Sequence, residues 1–167
     1  MDDVPAQDGD SEGRFQGLLA TYGGALRRLS RVYLANPADQ QDLFQEIALA
    51  IWTALPRFRG DASERTWIYR VAHNVALTYR AKHRRHHRDL PLEEDSAASP
   101  PQHDDRLDLY DMIRRLPAVD RQLLTLHLDG LTGPEIAAVT GLTTTNIGVR
   151  LMRARRKLTA AMQNSEE

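Results

Sequence analysis

The stretch DLPLEEDSAASPPQHDD, from Asp89 to Asp105, interrupts the chain with paired prolines, small polar residues and acids. Such a segment has nothing from which to build a packed core, so it reads as a flexible acidic linker over 89–106. Fully extended, it would span at most roughly 60 Å. The chain is 167 residues long. It is thereby divided into two small units, expected at 14–88 and 107–162, each with a modest core. Residues 1–13 and 163–167 are expected to be disordered.

Both units read as helical. In the first, Leu18, Leu19, Tyr22, Leu26 and Leu29 recur near helical spacing over about 15–33, although Gly23 and Gly24 weaken that helix. Asn36 followed by Pro37 is a helix entry, and Pro56 ends the same helix after Leu55. A long helix starts near Ser63 and continues into a basic tail. Four helices are expected in this unit. The second unit draws its lead helices from Leu109, Met112 and Ile113, then from Leu123, Leu124 and Leu126 beyond Pro117. No segment sustains strand alternation, so the fold class is all-α, two small helical domains.

The chain lacks cysteine, which excludes disulfides, zinc-thiolate sites and cysteine nucleophiles. No apolar run approaches a membrane span, and the acidic start has no signal-peptide features, so no membrane contact and a cytoplasmic location are expected. Net charge is −1. That average conceals segregation. Residues 1–13 carry five acids and no base. Residues 57–88 carry nine Lys or Arg against two acids, a local +7, and residues 89–111 carry eight acids against one Arg, a local −7. Separate fields of this kind suit a polyanionic partner on one block alone.

The segment LTGPEIAAVTGLTTTNIGVRLMRARRKL, Leu131 to Leu158, spells two short helices joined by a tight turn. Thr132 can cap the first while Glu135 reaches back to the cap residue's backbone N–H. Pro134 falls in the first turn, where a missing donor costs little. Gly141 suits the left-handed end of that helix, and Thr143 or Thr144 caps the next. Ile147, Leu151, Ala154 and Leu158 mark a core face on the second helix. Thr144, Thr145, Gly148, Val149 and Met152 lie opposite, flanked by Arg150, Arg153, Arg155, Arg156 and Lys157. That combination of base-sized contacts and cations fits a DNA-reading helix-turn-helix. An ordinary amphipathic helix with a solvated basic face is the plainer alternative.

Two further surfaces stand out. On the helix after Asn36, Leu43, Ile47, Ala50, Ile51 and Ala54 form one apolar face. Gln45, Leu49 and Trp52 are left opposite, beside Asp42 and Glu46, as a docking patch with an aromatic anchor. The plainer reading folds Trp52 under a neighbouring helix. On the next helix Ile68, Val71, Ala72, Val75 and Tyr79 point inward, leaving Arg70, Asn74 and Leu77 outside, below the loop Arg57-Phe58-Arg59-Gly60-Asp61. A cationic loop beside an amide-bearing helix face suits single-stranded nucleic acid. Trp67 is expected in the core rather than on a base. The run RAKHRRHHR, Arg80 to Arg88, should track phosphates. His83, His86 and His87 fall at metal-ligand spacing, but the adjacent cations and the lack of a neighbouring carboxylate disfavour a metal. No cofactor is expected.

Taken together, the halves resemble the extracytoplasmic-function (ECF) group of bacterial sigma factors, across nearly all of Phe15 to Leu158. DLFQEIALAIWTAL resembles the family's polymerase-docking helix, with Asp42, Leu43, Gln45 and Glu46 as its core motif. FRGDASERTWIYRVAHNVALTYR resembles the promoter-opening segment, with Trp67, Tyr69, Arg70, Ala72 and Asn74 in the family's order. Leu116-Pro117, Arg121, Gly130, Glu135-Ile136-Ala137 and RLMRARRKL resemble the domain that reads the upstream promoter element.

The resemblance implies that Asp42, Gln45, Glu46, Leu49 and Trp52 bind core RNA polymerase. It implies minus-ten DNA contacts from Arg57, Arg59, Asp61, Ser63, Arg65, Thr66, Arg70 and Asn74, continued by Arg80, Lys82, Arg84 and Arg85. It implies minus-thirty-five contacts from Thr132, Thr143, Thr144, Thr145, Asn146, Gly148, Val149, Arg150, Met152, Arg153 and Arg155. The linker would lie along the polymerase channel, an anti-sigma protein would be a further partner, and no catalysis would be the chain's own. An appended sensor domain is not expected. Gly148 and Val149 depart from the larger or polar groups the family often carries, so direct hydrogen-bond readout there would be sparse. Two other classes compete. A dimeric operator-binding regulator would need a self-association surface, and a metal-dependent nuclease would need acids and histidines gathered in one pocket.

Overall fold

The structure, a computed structural model, describes residues 8–89 and 105–165. It holds α1 (Asp8–Tyr33), α2 (Pro37–Ala54), a 3-10 turn (Leu55–Arg57), α3 (Glu64–Asp89), α4 (Asp105–Arg114), α5 (Ala118–Leu128), α6 (Gly133–Thr140) and α7 (Thr144–Ser165). There is no strand among the described residues. The all-α, two-unit reading holds. Most of the expected linker lies outside the described residues.

Two expectations are corrected. The first unit has three α-helices and a 3-10 turn rather than four helices. Its first helix also starts at Asp8, inside the acidic stretch expected to be disordered. Carboxylates such as that of Glu12 favour the N-terminal end of a helix, where they meet the positive end of the backbone dipole. The glycine pair does not break α1. A Gly costs about 1 kcal/mol relative to Ala in a helix. Against that, Leu18, Ala25, Leu26, Leu29, Val32 and Tyr33 bury one stripe of α1 on its neighbours.

Helix α2 begins as its sequence demands. The Asn36 side-chain oxygen accepts from the Ala38 and Asp39 backbone N–H groups at 2.8 and 3.5 Å, and Pro37 fills the first turn. Leu43, Ile47 and Ile51 then fall at i, i+4 and i+8 and are wholly buried against α1 and α3. Ile68, Ala72 and Ala76 close this bundle from α3.

The second unit wraps Ile113, Leu123, Leu124, Leu126, Ile136, Ile147 and Ala154 among α4 to α7. Leu109, expected to feed that core, is exposed. Arg121 is sealed inside, its Nη2 donating to the Leu116 carbonyl at 2.9 Å and to the Arg114 carbonyl, so that it brackets the end of α4. Burial, and then the nearby Arg80, pushes its pKa down to about 10. The two units pack directly on each other, α3 against α6 and α1 against α4 and α5.

Candidate functional site

Because the Leu43–Ile47–Ile51 stripe is buried, the opposite side of α2 must face water. Asp42, Gln45 and Glu46 are exposed there, Leu49 is 59% exposed and Trp52 is 40% exposed. Trp52 leans its edge on Phe15, with ring centroids 5.2 Å apart. It is neither a core residue nor a free one: Phe15 braces it while its outer face stays open, the form an aromatic anchor takes. An open cleft of about 820 Å³ runs between α2 and α3 past Glu46, Asn74, Tyr79, Lys82 and His83. The exposed face of α2 therefore meets the amide-bearing face of α3 at Glu46, on the edge of one cleft, a relation no spacing in the sequence revealed.

The loop before α3 is ordered by local bonds. Ser63 caps the helix, its oxygen accepting from the Thr66 N–H at 3.1 Å and its hydroxyl donating to the Thr66 oxygen at 2.9 Å. Thr66 is only 4% exposed, so it supports the loop from inside rather than meeting a strand. Gly60 has φ of +80°, a conformation that an L side chain resists. Phe58 packs on Trp67 at 4.7 Å between ring centroids, and the Arg14 guanidinium lies over the Phe58 ring, 5.4 Å from its centroid. Trp67 is thus a half-buried floor for the loop, while Arg57, Arg59 and Asp61 are exposed.

Along α3, Arg70 and Asn74 are exposed and Arg65 is half-buried. Both arginines already have partners in the second unit. Arg65 Nη2 donates to the Asp129 carbonyl at 2.6 Å and Arg70 Nη2 to the Ala138 carbonyl at 2.7 Å. Lys82, Arg84 and Arg85 are exposed further along, and the Arg80 pKa is lowered by burial and by Arg84. His83 stacks on Tyr79 and its Nε2 lies 3.1 Å from the Asp39 carboxylate. The His86 and His87 side chains lie outside the described ones.

The helix-turn-helix is built as its sequence dictates. Thr132 Oγ1 accepts from the Glu135 N–H at 3.4 Å, while the Glu135 carboxylate accepts from the Thr132 N–H at 2.7 Å and from its hydroxyl at 2.9 Å. Those bonds hold the Glu135 pKa below the usual carboxylate range. Gly141 takes the left-handed conformation at φ +74°. Thr143, rather than Thr144, caps α7 by accepting from the Asn146 N–H at 3.2 Å.

On α7, Thr144, Thr145, Asn146, Gly148, Val149, Met152, Arg153 and Arg155 are exposed. Arg150 turns sideways instead, with Nη1 2.9 Å from the Asp120 carboxylate and Nε 3.0 Å from the Asn146 side-chain oxygen. It ties α7 to α5 and so fixes the orientation of the exposed face of α7. Arg155 touches the His127 ring. The sequence did not single out Asp120, His127 or Asp129, which lie on or just after α5 and meet their partners only through the fold.

Residues 18–86 match the family described as sigma-70 region 2, and residues 106–158 match that described as sigma-70 region 4. The chain is 30% identical to RNA polymerase sigma factor CnrH of Cupriavidus metallidurans, over 92% of its own length and 88% of that protein. It is 34% identical to the ECF RNA polymerase sigma factor SigC of Mycobacterium tuberculosis, over 77% of its length and 72% of that protein. A solved structure of CnrH with the cytosolic domain of CnrY superposes with a TM-score of 0.68 at 26% identity, covering 92% of this chain and 90% of that one. Sigma factor RpoE bound to the anti-sigma factor NepR, from Bartonella quintana, has the same fold, with a TM-score of 0.75 at 22% identity over 90% and 97% of the two chains. The chain belongs to the sigma-70 family of RNA polymerase sigma factors, in its ECF group.

Proposed function

We propose that this chain binds core RNA polymerase and directs it to promoters, reading a minus-ten element with α3 and its preceding loop and a minus-thirty-five element with α7. One observation carries the reading. An acid-ringed, aromatic-anchored patch on α2 and a cation-and-amide face on α3 meet at Glu46, on the edge of one cleft, and a separate helix-turn-helix presents Thr145, Val149, Met152 and Arg153 to solvent. A docking surface beside a strand-holding face is what an adaptor needs if it is to couple a polymerase to melted DNA.

Within this reading Asp42, Gln45, Glu46, Leu49 and Trp52 hold the polymerase. Arg57, Arg59, Arg70 and Asn74 hold the displaced strand, and a base turned out of the stack offsets part of the cost of opening the duplex. Exposed Lys82, Arg84 and Arg85 neutralise phosphates. The chain supplies address and strand capture, and the polymerisation chemistry is the polymerase's own. It works in the cytoplasm, where that enzyme is. No described helix is long and apolar enough to cross a membrane. We also assign it an anti-sigma partner, supported by the complex that CnrH forms with the cytosolic domain of CnrY.

Transcription with purified core polymerase on a promoter library tests the proposal. Polymerase-dependent transcripts from a defined promoter subset are expected. Protection of a palindromic site by the chain alone, without polymerase, would instead identify a dimeric operator-binding regulator.

A further inference from the structure

Two adjacent residues near the start of α1, Arg14 and Phe15, touch the two surfaces to which docking and strand holding are assigned. Phe15 meets the Trp52 ring edge-on, with centroids 5.2 Å apart. Arg14 sets its guanidinium over the Phe58 ring, 5.4 Å from the centroid, and Phe58 in turn packs on Trp67 at 4.7 Å. Trp52 is the exposed anchor of the α2 patch, and Phe58 lies within the cationic loop. The rings of the two surfaces are therefore joined through one dipeptide of a third element.

The path of the chain between Trp52 and Phe58 explains why the dipeptide falls there. Helix α2 ends at Ala54, the 3-10 turn covers Leu55–Arg57, and the Phe58 N–H donates to the Leu55 carbonyl at 3.1 Å. Leu55 is buried, and α1 packs on this turn. Helix α1 thus crosses the corner at which the docking helix becomes the strand-holding loop. Neighbouring residues on a helix point about 100° apart, so one can serve each side of such a corner.

These contacts place side chains without locking them. Gly9, Gly13 and Gly17 lower the helical propensity of the first turns of α1, and its buried stripe begins only at Leu18. Arg14 lies 3.9 Å from the carboxylate of Glu64, in the first turn of α3, and both side chains are 43% exposed, so water screens that pair. A cation over a half-exposed ring is a contact of similarly modest size. The loop itself is gripped at Phe58 and again at Ser63, and between them a Cβ at Gly60 would meet nothing within 4 Å.

We propose that Arg14 and Phe15 are positioning residues that couple polymerase docking to strand holding: a polymerase that immobilises Trp52 immobilises Phe15, and through Arg14 it steadies Phe58 and the loop that carries Arg57, Arg59 and Asp61. This rests on the reading of α2 as the docking face and of that loop as strand-holding. Coupling of this kind is reciprocal, so an ordered loop strengthens docking by the same factor. Neither residue needs to touch polymerase or DNA, because both act through Trp52 and Phe58.

The chain has no cysteine, so a single nitroxide at Arg59→Cys, an exposed loop position, reports loop mobility in the full chain. Arg14→Ala is expected to raise the mobile fraction of that label about threefold, the population change that a lost exposed cation–π contact allows. Arg14→Lys, which keeps a cation over Phe58, should restore the parent spectrum. Trp52→Ala should mobilise the label as well, and that effect should vanish once Arg14→Ala is present, as it does for residues in one line of contacts. A merely structural loss would add instead. Saturating core RNA polymerase should immobilise the label in the parent chain and in Arg14→Lys, and less in Arg14→Ala. A label indifferent to Arg14→Ala, or additive effects of Trp52→Ala and Arg14→Ala, would overturn the coupling. A parent chain that fails to co-elute with core polymerase would overturn the docking assignment itself and the coupling with it, a separate outcome because the free-chain spectra need no polymerase.

Discussion

His73 is a titratable side chain shut away from water. It is completely buried in α3, its Nδ1 3.0 Å from the Tyr33 hydroxyl and its Nε2 without a hydrogen-bond partner. Burial lowers its pKa from 6.5 to about 3. Between those values the unfolded chain binds a proton that the folded chain refuses, so stability falls as pH drops below about 6.5 and keeps falling toward about 3. His73→Gln keeps a partner for Tyr33 and does not titrate. Thermal unfolding at pH 7 and pH 5 should show a smaller drop in midpoint for the variant than for the parent chain. Asn36 is a second residue with a separable contribution, since two backbone donors of α2 depend on its side chain. Asn36→Ala should cost about 1 kcal/mol in urea unfolding, as the loss of a helix cap commonly does.

At the scale of single helices, α2 and α7 each separate a structural face from a contact face. Leu43, Ile47 and Ile51 hold α2 in its bundle, so truncating Ile47 to Ala should cost about 2–5 kcal/mol of stability. Trp52→Ala on the other face should cost about 1 kcal/mol of stability through the lost contact with Phe15 and weaken core polymerase binding by about 2 kcal/mol in a fluorescence titration. Unaltered polymerase affinity would remove the docking patch. On α7, the sideways turn of Arg150 onto Asp120 leaves Val149, beside the bare Gly148, as an apolar contact at the centre of the exposed face. Val149→Ser should shift selectivity among upstream promoter variants by roughly 1 kcal/mol where a thymine methyl is read, and a flat selectivity profile would exclude that contact.

At the scale of the whole molecule, function depends on which surfaces the two units leave open to each other's ligands. Asn74 lies on the edge of the cleft with no bond to the second unit among the described residues, whereas Arg65 and Arg70 donate to its carbonyls. Asn74→Ala should therefore lower open-complex formation by on the order of 1–2 kcal/mol while leaving duplex binding intact, read by permanganate footprinting beside gel shifts. Equal losses in both would deny it a role in strand capture. By itself the sequence determined the helices, their caps and their faces, because Asn36-Pro37, Thr132…Glu135, Gly141 and the apolar repeats act over one or two turns of chain. It also carried the order of docking, opening and reading segments. It carried the helix through Gly23-Gly24, where burial of the α1 stripe offsets weak local propensity, while the family resemblance and helical spacing set Thr66 and Arg150 among the outward contacts. Only the tertiary structure decided that Thr66 turns inward, that Arg150 serves Asp120, and that Asp129 meets Arg28 and Tyr69 across the seam. Such pairings join residues distant in the chain, and no local periodicity encodes which charged group will be enclosed when two preformed units come together.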